Sequence, residues 1–239
     1  MPETHAYLIG SLFWLALWGI LFAIWPTQRR AMWMAGLWLA PAGPIDEIWS
    51  LRDYWHPTFV FEFQLGSLRL GGPEDIILTF ALAGLASGLF ERFCARHGSP
   101  PLPRLSWKGA GRLALWPTSV LMVMVAVVAL GLNSIYALFL ALLLVCPVML
   151  YPLRRWWLPL LGLSAGFALA YVLFLKLVFL PLFPCAFEVW WKLENTCGLC
   201  PGGIPLEEGV WAALTFLFAG PYLRASLLPT AQADAARRI

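Results

Sequence analysis

Two pairs of adjacent carboxylates, each closely following a proline, stand at the start of two long apolar stretches. The pairs are Glu74-Asp75, directly after Pro73, and Glu207-Glu208, beginning two residues after Pro205. Two carboxylates in a poorly hydrated setting repel each other when both are ionised, so one tends to keep its proton. A protonated carboxyl can donate that proton to a substrate, and an ionised neighbour can stabilise a cation or accept a proton later. The pattern therefore predicts acid–base chemistry.

The same residues also suit the start of a helix. Proline is well tolerated at the first helical position, and carboxylates interact favourably with the positive end of the helix dipole. One copy alone would not separate helix capping from chemistry. Two copies, in matching positions of two half-chains, favour a shared site.

The composition is that of a membrane protein. The chain has 239 residues, of which 61% are hydrophobic and 12% are charged, whereas soluble domains have about 25% charged residues. The 14 Trp agree with this interpretation, because Trp is enriched where a bilayer meets water.

Apolar runs of roughly 20 residues, the length that spans a bilayer, predict an all-α, polytopic membrane bundle of about seven transmembrane helices. The predicted helices are 5–25, 31–50, 73–93, 112–132, 133–151, 156–183 and 205–223. They form one domain, 1–239, built as two three-helix repeats. The first repeat covers 5–93 and the second covers 133–224. The helix at 112–132 joins them and gives both the same orientation.

Basic residues alternate between the predicted loops and thereby orient the helices. The positive-inside rule makes the richer side cytoplasmic, and it holds twelve of the 16 basic residues: Arg29, Arg30, Arg92, Arg96, Arg104, Lys108, Arg112, Arg154, Arg155, Arg224, Arg237 and Arg238. The N-terminus is therefore expected outside and the C-terminus in the cytoplasm. Nearly all the acidic residues then fall at the outer face of the membrane.

Each predicted repeat also carries an acid near the end of its second helix, followed by a loop rich in Trp and Tyr. These acids are Asp46 and Glu188. Desolvated aromatic faces attract cations by about 0.5–2 kcal/mol. The aromatic side chains near the acids are therefore candidates for binding a substrate that becomes positively charged: Trp49, Tyr54, Trp55, Trp190, Trp191 and Trp211.

This arrangement resembles the lycopene cyclase domain family, the cofactor-free carotenoid cyclases of the heterodimeric and fungal types, which are integral to the membrane. The family pattern is a three-helix unit that occurs twice. Each unit has an acid ending its second helix, an aromatic loop and a Pro-x-Glu-Glu-like motif opening its third helix. Residues 205–208 fit that motif closely. Residues 72–75 fit with a shift, because Pro73 directly precedes the acids and the second acid is Asp.

The resemblance implies a carotenoid cyclase of a prokaryotic cell membrane, an intramolecular lyase of the isomerase class. Such an enzyme closes a ring at the end of a linear polyene without redox change, and no cofactor or metal is expected. The expected partners are a carotenoid or other polyene substrate and membrane lipids, and the sequence is compatible with a homo-oligomer. As proton donors we expect Glu74 and Glu207, with Asp75 and Glu208 as their partners, and Asp46 and Glu188 as second candidates.

Other functions compete with this one. A hydratase would add water to the same polyene with the same acids. A prenyltransferase usually shows Asp-x-x-Asp motifs, a spacing that neither pair has. A proton-coupled transporter would carry charges across the whole membrane depth, whereas these acids gather at one face. A carotenoid-binding protein without chemistry would need the same pocket.

The remaining features suggest no further partner. Cys197 and Cys200 form a lone Cys-x-x-Cys motif. A zinc site needs about four ligands, so a local disulfide or a plain turn is favoured over a metal site. The basic loops are explained by membrane topology, so no nucleic-acid partner is expected.

Overall fold

A computed structural model describes residues 5–228 of the chain, and most of these residues are helical. Within them the α-helices are, in chain order, α1 (Ala6–Ile24), α2 (Arg29–Leu39), α3 (Ala42–Asp53), α4 (Pro73–Arg96), α5 (Trp107–Ala129), α6 (Ser134–Leu150), α7 (Trp157–Phe174), α8 (Leu180–Leu182), α9 (Ala186–Trp190), α10 (Leu206–Ala219) and α11 (Tyr222–Leu227). Two short strands, β1 (Gln64–Leu65) and β2 (Leu68–Arg69), form an antiparallel hairpin. Arg237 and Arg238, which contributed to the predicted charge pattern, lie outside the described residues, as do both ends of the predicted domain.

Five stretches of the described chain are long and apolar enough to cross a membrane. They are Ala6–Ile24, Pro73–Arg96, Trp107–Ala129, Ser134–Leu182 and Leu206–Leu227. A stretch of about 20 apolar residues matches the thickness of the hydrocarbon core. The fold is therefore that of a helical membrane protein.

The sequence predicted seven spans, and the five found here differ from them in two places: one predicted helix is broken into two short helices, and two predicted helices lie within one continuous stretch. The predicted second helix is divided at Pro41 into α2 and α3, of 11 and 12 residues, because proline lacks the N–H that would continue the helical ladder. The stretch Ser134–Leu182 contains both α6 and α7. They are joined by a 3₁₀ segment in which Leu153 leaves helical geometry.

The two halves of the bundle meet along α4 and α10. α4 packs against α1 and α2, whereas α10 packs against α6 and α7, and the two helices also contact each other. Gly84 allows α2 to approach α4, because a Cβ at this position would lie 2.7 Å from the carbonyl oxygen of Met32. The first turns of α4 and α10 carry the two carboxylate pairs, so this packing positions both.

A buried ion pair ties the other end of α4 to α11. Arg224, only 3% exposed, donates from Nε to one carboxylate oxygen of Glu91 at 2.9 Å and from a terminal nitrogen to the other at 2.5 Å. It also donates to the carbonyl oxygen of Pro100 at 3.0 Å. Such a two-point Arg–carboxylate contact fixes orientation as well as distance. It therefore holds α11 against α4, together with the start of the loop that follows α4.

Candidate functional site

A cavity lies at the end of the bundle where α4 and α10 begin. The space between its lining atoms, including the open solvent at its mouth, is about 820 Å³. Its lining includes residues of α1, α3 and α4, which we call the first wall, and residues of α6, α7, α9 and α10, which we call the second wall. The segment after α7, Leu175–Phe179, is a π-helical turn whose first and last residues line the cavity. Such turns frequently occur at functional sites.

On the first wall, Asp75, Glu47 and Tyr7 form what we call the first acid cluster. Asp75 is buried and accepts hydrogen bonds from the Tyr7 hydroxyl and, at 2.7 Å, from the backbone N–H of Gly72. Glu47 reaches it from α3 and is only 3% exposed. Within the described residues the Oε2 atom of Glu47 has no hydrogen-bond partner. Two buried carboxyl groups therefore lie together, and one of them is well placed to retain a proton.

Gly71 allows the two carboxyl groups to approach each other. Its φ of +75° lies in the left-handed region that favours glycine. A Cβ at this position would clash with the Oδ2 atom of Asp75 and would come 2.8 Å from Cγ of Glu47. The backbone at Gly71 thus lies directly against both acids, and no larger residue fits there without moving them.

On the second wall, Glu208 is the centre of the second acid cluster, which also contains Tyr171, Trp191 and, from the loop after α3, Tyr54. Glu208 accepts hydrogen bonds from the Tyr54 hydroxyl at 2.6 Å, the Trp191 indole N–H at 2.9 Å and the Tyr171 hydroxyl at 3.2 Å. Burial, together with the nearby Glu208 carboxylate, raises the pKa of the Tyr54 phenol well above its ordinary value. Tyr54 therefore remains a donor, and three donors converging on one carboxyl favour its ionised form.

The first acid of each pair turns away from the cavity and holds the loop before its helix. Glu74 is buried and accepts a hydrogen bond at 2.8 Å from the backbone N–H of Val60. Glu207 is also buried and accepts a hydrogen bond at 2.7 Å from the backbone N–H of Cys197. It accepts a second hydrogen bond, at 2.6 Å, from the hydroxyl of Tyr136. Both residues were expected to donate protons, but neither lines the cavity.

The two aromatic loops pair with each other across the mouth of the bundle. Trp55 and Trp191 form an isolated antiparallel bridge, with their ring centroids 5.3 Å apart. The backbone N–H of His56 donates to the carbonyl oxygen of Trp190, and the N–H of Lys192 donates to that of Tyr54, each at 2.8 Å. The bridge joins the two halves and places aromatic rings from both halves between the acid clusters.

The other predicted site residues are divided between the cavity and its surroundings. Tyr54, Trp55, Trp190, Trp191 and Trp211 line the cavity, as does Asp46. Asp46 is half-buried and accepts a hydrogen bond at 2.7 Å from the hydroxyl of Ser50.

Glu188 and Trp49 do not line the cavity. Glu188 is exposed on α9, and Trp49 packs beside Met124 and Ala137.

Sequence reasoning missed three members of the acid clusters, namely Glu47, Tyr7 and Tyr171. Glu47 directly follows Asp46, so the sequence marked the right helix but not the buried member of the pair. Tyr7 and Tyr171 each stand within an otherwise apolar helix. A lone phenol in such a segment needs a hydrogen-bond partner, and this was the available signal.

The described residues hold no group of three or more His, Cys, Asp or Glu side chains that could bind a metal ion. Cys197 and Cys200 carry free, exposed thiols. Comparison with known proteins found nothing similar: no protein-family model, no curated protein and no solved structure matches this chain. The candidate site is therefore defined by its own residues and geometry.

Proposed function

We propose that this protein is an integral membrane enzyme that cyclises an end group of a linear polyene by acid catalysis, as lycopene cyclases do. One observation carries the proposal: a single cavity exposes two separate acid clusters to aromatic and apolar walls. The chemistry needs a proton donor, a group that tolerates positive charge and a base in a poorly hydrated pocket. The cavity offers a candidate for each.

The proposed reaction begins with proton transfer to a terminal C=C bond of the polyene, which leaves a tertiary carbocation. The π electrons of a nearby double bond attack that cation, a new C–C bond closes the ring, and the positive charge moves to a ring carbon. Loss of a neighbouring proton then forms a ring double bond. One proton enters and one leaves, so the step is a redox-neutral isomerisation that requires no cofactor.

The first acid cluster is the proposed proton donor. Because Glu47 and Asp75 are buried together, the pair can hold one proton between them. Asp75 already accepts a hydrogen bond at each of its two oxygens. We therefore assign Asp75 as the ionised member of the pair, which orients the protonated carboxyl group of Glu47. The pair therefore replaces the adjacent residues Glu74 and Asp75 as the proposed acid.

The second acid cluster is proposed to balance the positive charge and to accept the proton that leaves. Glu208 is oriented by three donors, and preorganised charge of this kind is effective where water is excluded. Trp55, Trp190 and Trp191 add aromatic faces, each of which attracts a desolvated cation by about 0.5–2 kcal/mol. Asp46 is a second candidate for proton transfer from the first wall.

The proposed topology has seven crossings in two parallel repeats. α2 and α3 would together form the second crossing, and α6 and α7 would be separate crossings. Support comes from the matched packing of α4 and α10 within their halves. The charge pattern of the sequence would place the N-terminus and the cavity outside and the C-terminus in the cytoplasm of a prokaryotic cell. Carotenoid and membrane lipid are the proposed partners.

The test is pigment analysis of lycopene-accumulating bacteria that express the chain, by chromatography and mass spectrometry. A product of unchanged mass, earlier elution and blue-shifted absorption is expected. The control is Glu188→Gln, which changes an exposed acid outside the cavity and should give the same product in the same yield. A product heavier by one water would identify a hydratase that traps the same cation. Unaltered lycopene beside correctly inserted protein would refute the proposal for this substrate.

A further inference from the structure

The hairpin before α4 has two chemically different faces. β1 and β2 pair Gln64 with Arg69 and Leu65 with Leu68, and the chain reverses at Gly66, whose φ is +62°. Paired residues share a face, and successive residues of a strand alternate between faces. This register separates polar from apolar side chains along the whole hairpin.

The polar side chains on one face bond to each other. Glu62 forms an ion pair with Arg69 and accepts a hydrogen bond at 3.1 Å from the Gln64 side-chain amide. The opposite face is entirely apolar: Phe61, Phe63, Leu65, Leu68 and Leu70. Phe61 is 62% exposed and Leu65 is 70% exposed, so the described chain leaves much of this face uncovered.

Two further observations indicate what covers the apolar face. A two-stranded hairpin is marginally stable by itself in water, so a contact on its apolar side is expected. The hairpin leads through Gly71 and Gly72 directly into α4, a candidate membrane span, and β2 contacts α3. It therefore stands where the bundle meets the membrane boundary, and the two helices beside it also expose apolar residues, Ile45 of α3 and Ile76 of α4.

The depth of the hairpin is limited by its backbone. Within the described residues it is a sheet of two strands, so its outer edges have no neighbouring strand to pair their N–H and C=O groups, and open sheet edges are not tolerated in the hydrocarbon core. An amphipathic element can instead lie in the interface, with its apolar side towards the acyl chains and its charged side towards water. The ion pair between Glu62 and Arg69 is on the side that such an orientation leaves in water.

We infer that the hairpin is a lipid-binding element, with the apolar face that carries Phe61 and Leu65 seated in the membrane–water interface. The surface lies outside the cavity, and the inference does not depend on the proposed function. A hairpin seated in this way would bring lipid close to the first acid cluster. Phe59, next to the hairpin, packs edge-on against Tyr7 with ring centroids 5.6 Å apart, and Tyr7 donates to Asp75.

The test uses spin labels on adjacent residues of β1 in proteoliposomes. Leu65→Cys carries the label on the apolar face and Gln64→Cys carries it on the polar face, each with the exposed Cys185, Cys197 and Cys200 replaced by Ser. Both positions are exposed, so folding should tolerate either label. We expect the accessibility to oxygen relative to a water-soluble nickel chelate to be several-fold higher at position 65 than at position 64.

Two results would overturn the inference. Equal and high accessibility to the nickel chelate at both positions would place the whole hairpin in water. The second contradicting result is a label at position 65 that neither reagent reaches. If that label became accessible to the chelate when the protein is diluted in lipid, a second copy of the chain would cover this face.

Discussion

The first and second acid clusters are built on the same plan but differ in their charge partners. In each carboxylate pair the first acid accepts a hydrogen bond from the preceding loop, and the second faces the cavity. The first acid cluster contains a second carboxyl group, Glu47, beside Asp75. The second acid cluster has instead three hydrogen-bond donors around Glu208.

This difference shows how one motif can serve two states of ionisation. A neighbouring carboxyl group disfavours a second negative charge, whereas converging donors stabilise a single one. The first acid cluster is thereby better suited to holding a proton, and the second is better suited to carrying a negative charge. If the two clusters were interchangeable, neutral substitutions in each would have the same effect.

The largest expected effect follows from removing the proton donor. Glu47→Gln and Asp75→Asn should each lower the cyclisation rate by about 10²–10⁴, the usual contribution of general acid catalysis. The rate is measured by single-turnover conversion of lycopene in proteoliposomes, where product release does not interfere. Glu188→Gln serves as the control. Wild-type rates in both variants would exclude the first acid cluster as the acid.

A somewhat smaller loss is expected at the second acid cluster. Glu208→Gln keeps the shape and one acceptor oxygen but removes the charge that the three donors stabilise, so we expect a rate lower by about 10²–10³. The ring type of the product should also change in part, because the departing proton would go to another base. If Glu208→Gln cyclised lycopene at the normal rate, the second acid cluster would have no electrostatic role.

The comparison also shows what could be predicted from the sequence. The apolar runs predicted a helical membrane protein, and the paired acids marked the two helix starts that line the cavity. Which acid of each pair faces the cavity could not be predicted, because it depends on how α4 and α10 are rotated by packing. Adjacent residues on a helix do not face each other, so the carboxyl pair in space is Glu47 with Asp75, not Glu74 with Asp75.

The same argument explains the uneven outcome for the second-helix acids. Both were assigned by analogy between the repeats, but the chain breaks differently in each. α3 begins directly after Pro41 and presents Glu47 to the cavity, whereas α8 ends at Leu182 and α9 is a separate helix of five residues. Glu188 therefore lies on an exposed position of α9. Local sequence alone does not show where such a break redirects the chain.

A third prediction separates the acids that hold loops from those that face the cavity. Glu74→Gln and Glu207→Gln retain an oxygen that can accept from Val60 and Cys197, so we expect rates within about tenfold of wild type, since a neutral hydrogen bond replaces a charged one. Glu74→Ala and Glu207→Ala remove that acceptor and should lower the rate further and expose the loops to limited proteolysis. Recovery of both properties by the Gln variants marks a positioning role. If a Gln variant were as slow as Asp75→Asn, the expectation from the sequence that Glu74 and Glu207 donate protons would be supported instead.

The smallest effect concerns two glycines in matching positions, each two residues before the proline of its pair. Gly71 and Gly203 have φ values of +75° and +83°, but a Cβ at Gly71 would clash with Asp75, whereas a Cβ at Gly203 would meet no described atom within 4 Å. Gly203→Ala should therefore cost only the left-handed backbone penalty, about 1–2 kcal/mol of unfolding free energy. Gly71→Ala should cost more and should also slow catalysis, because it displaces the carboxyl pair. Thermal unfolding in detergent, measured beside the cyclisation rate, compares the two variants. Equal losses of stability with unchanged rates would mean that the backbone at Gly71 does not hold the first acid cluster in place.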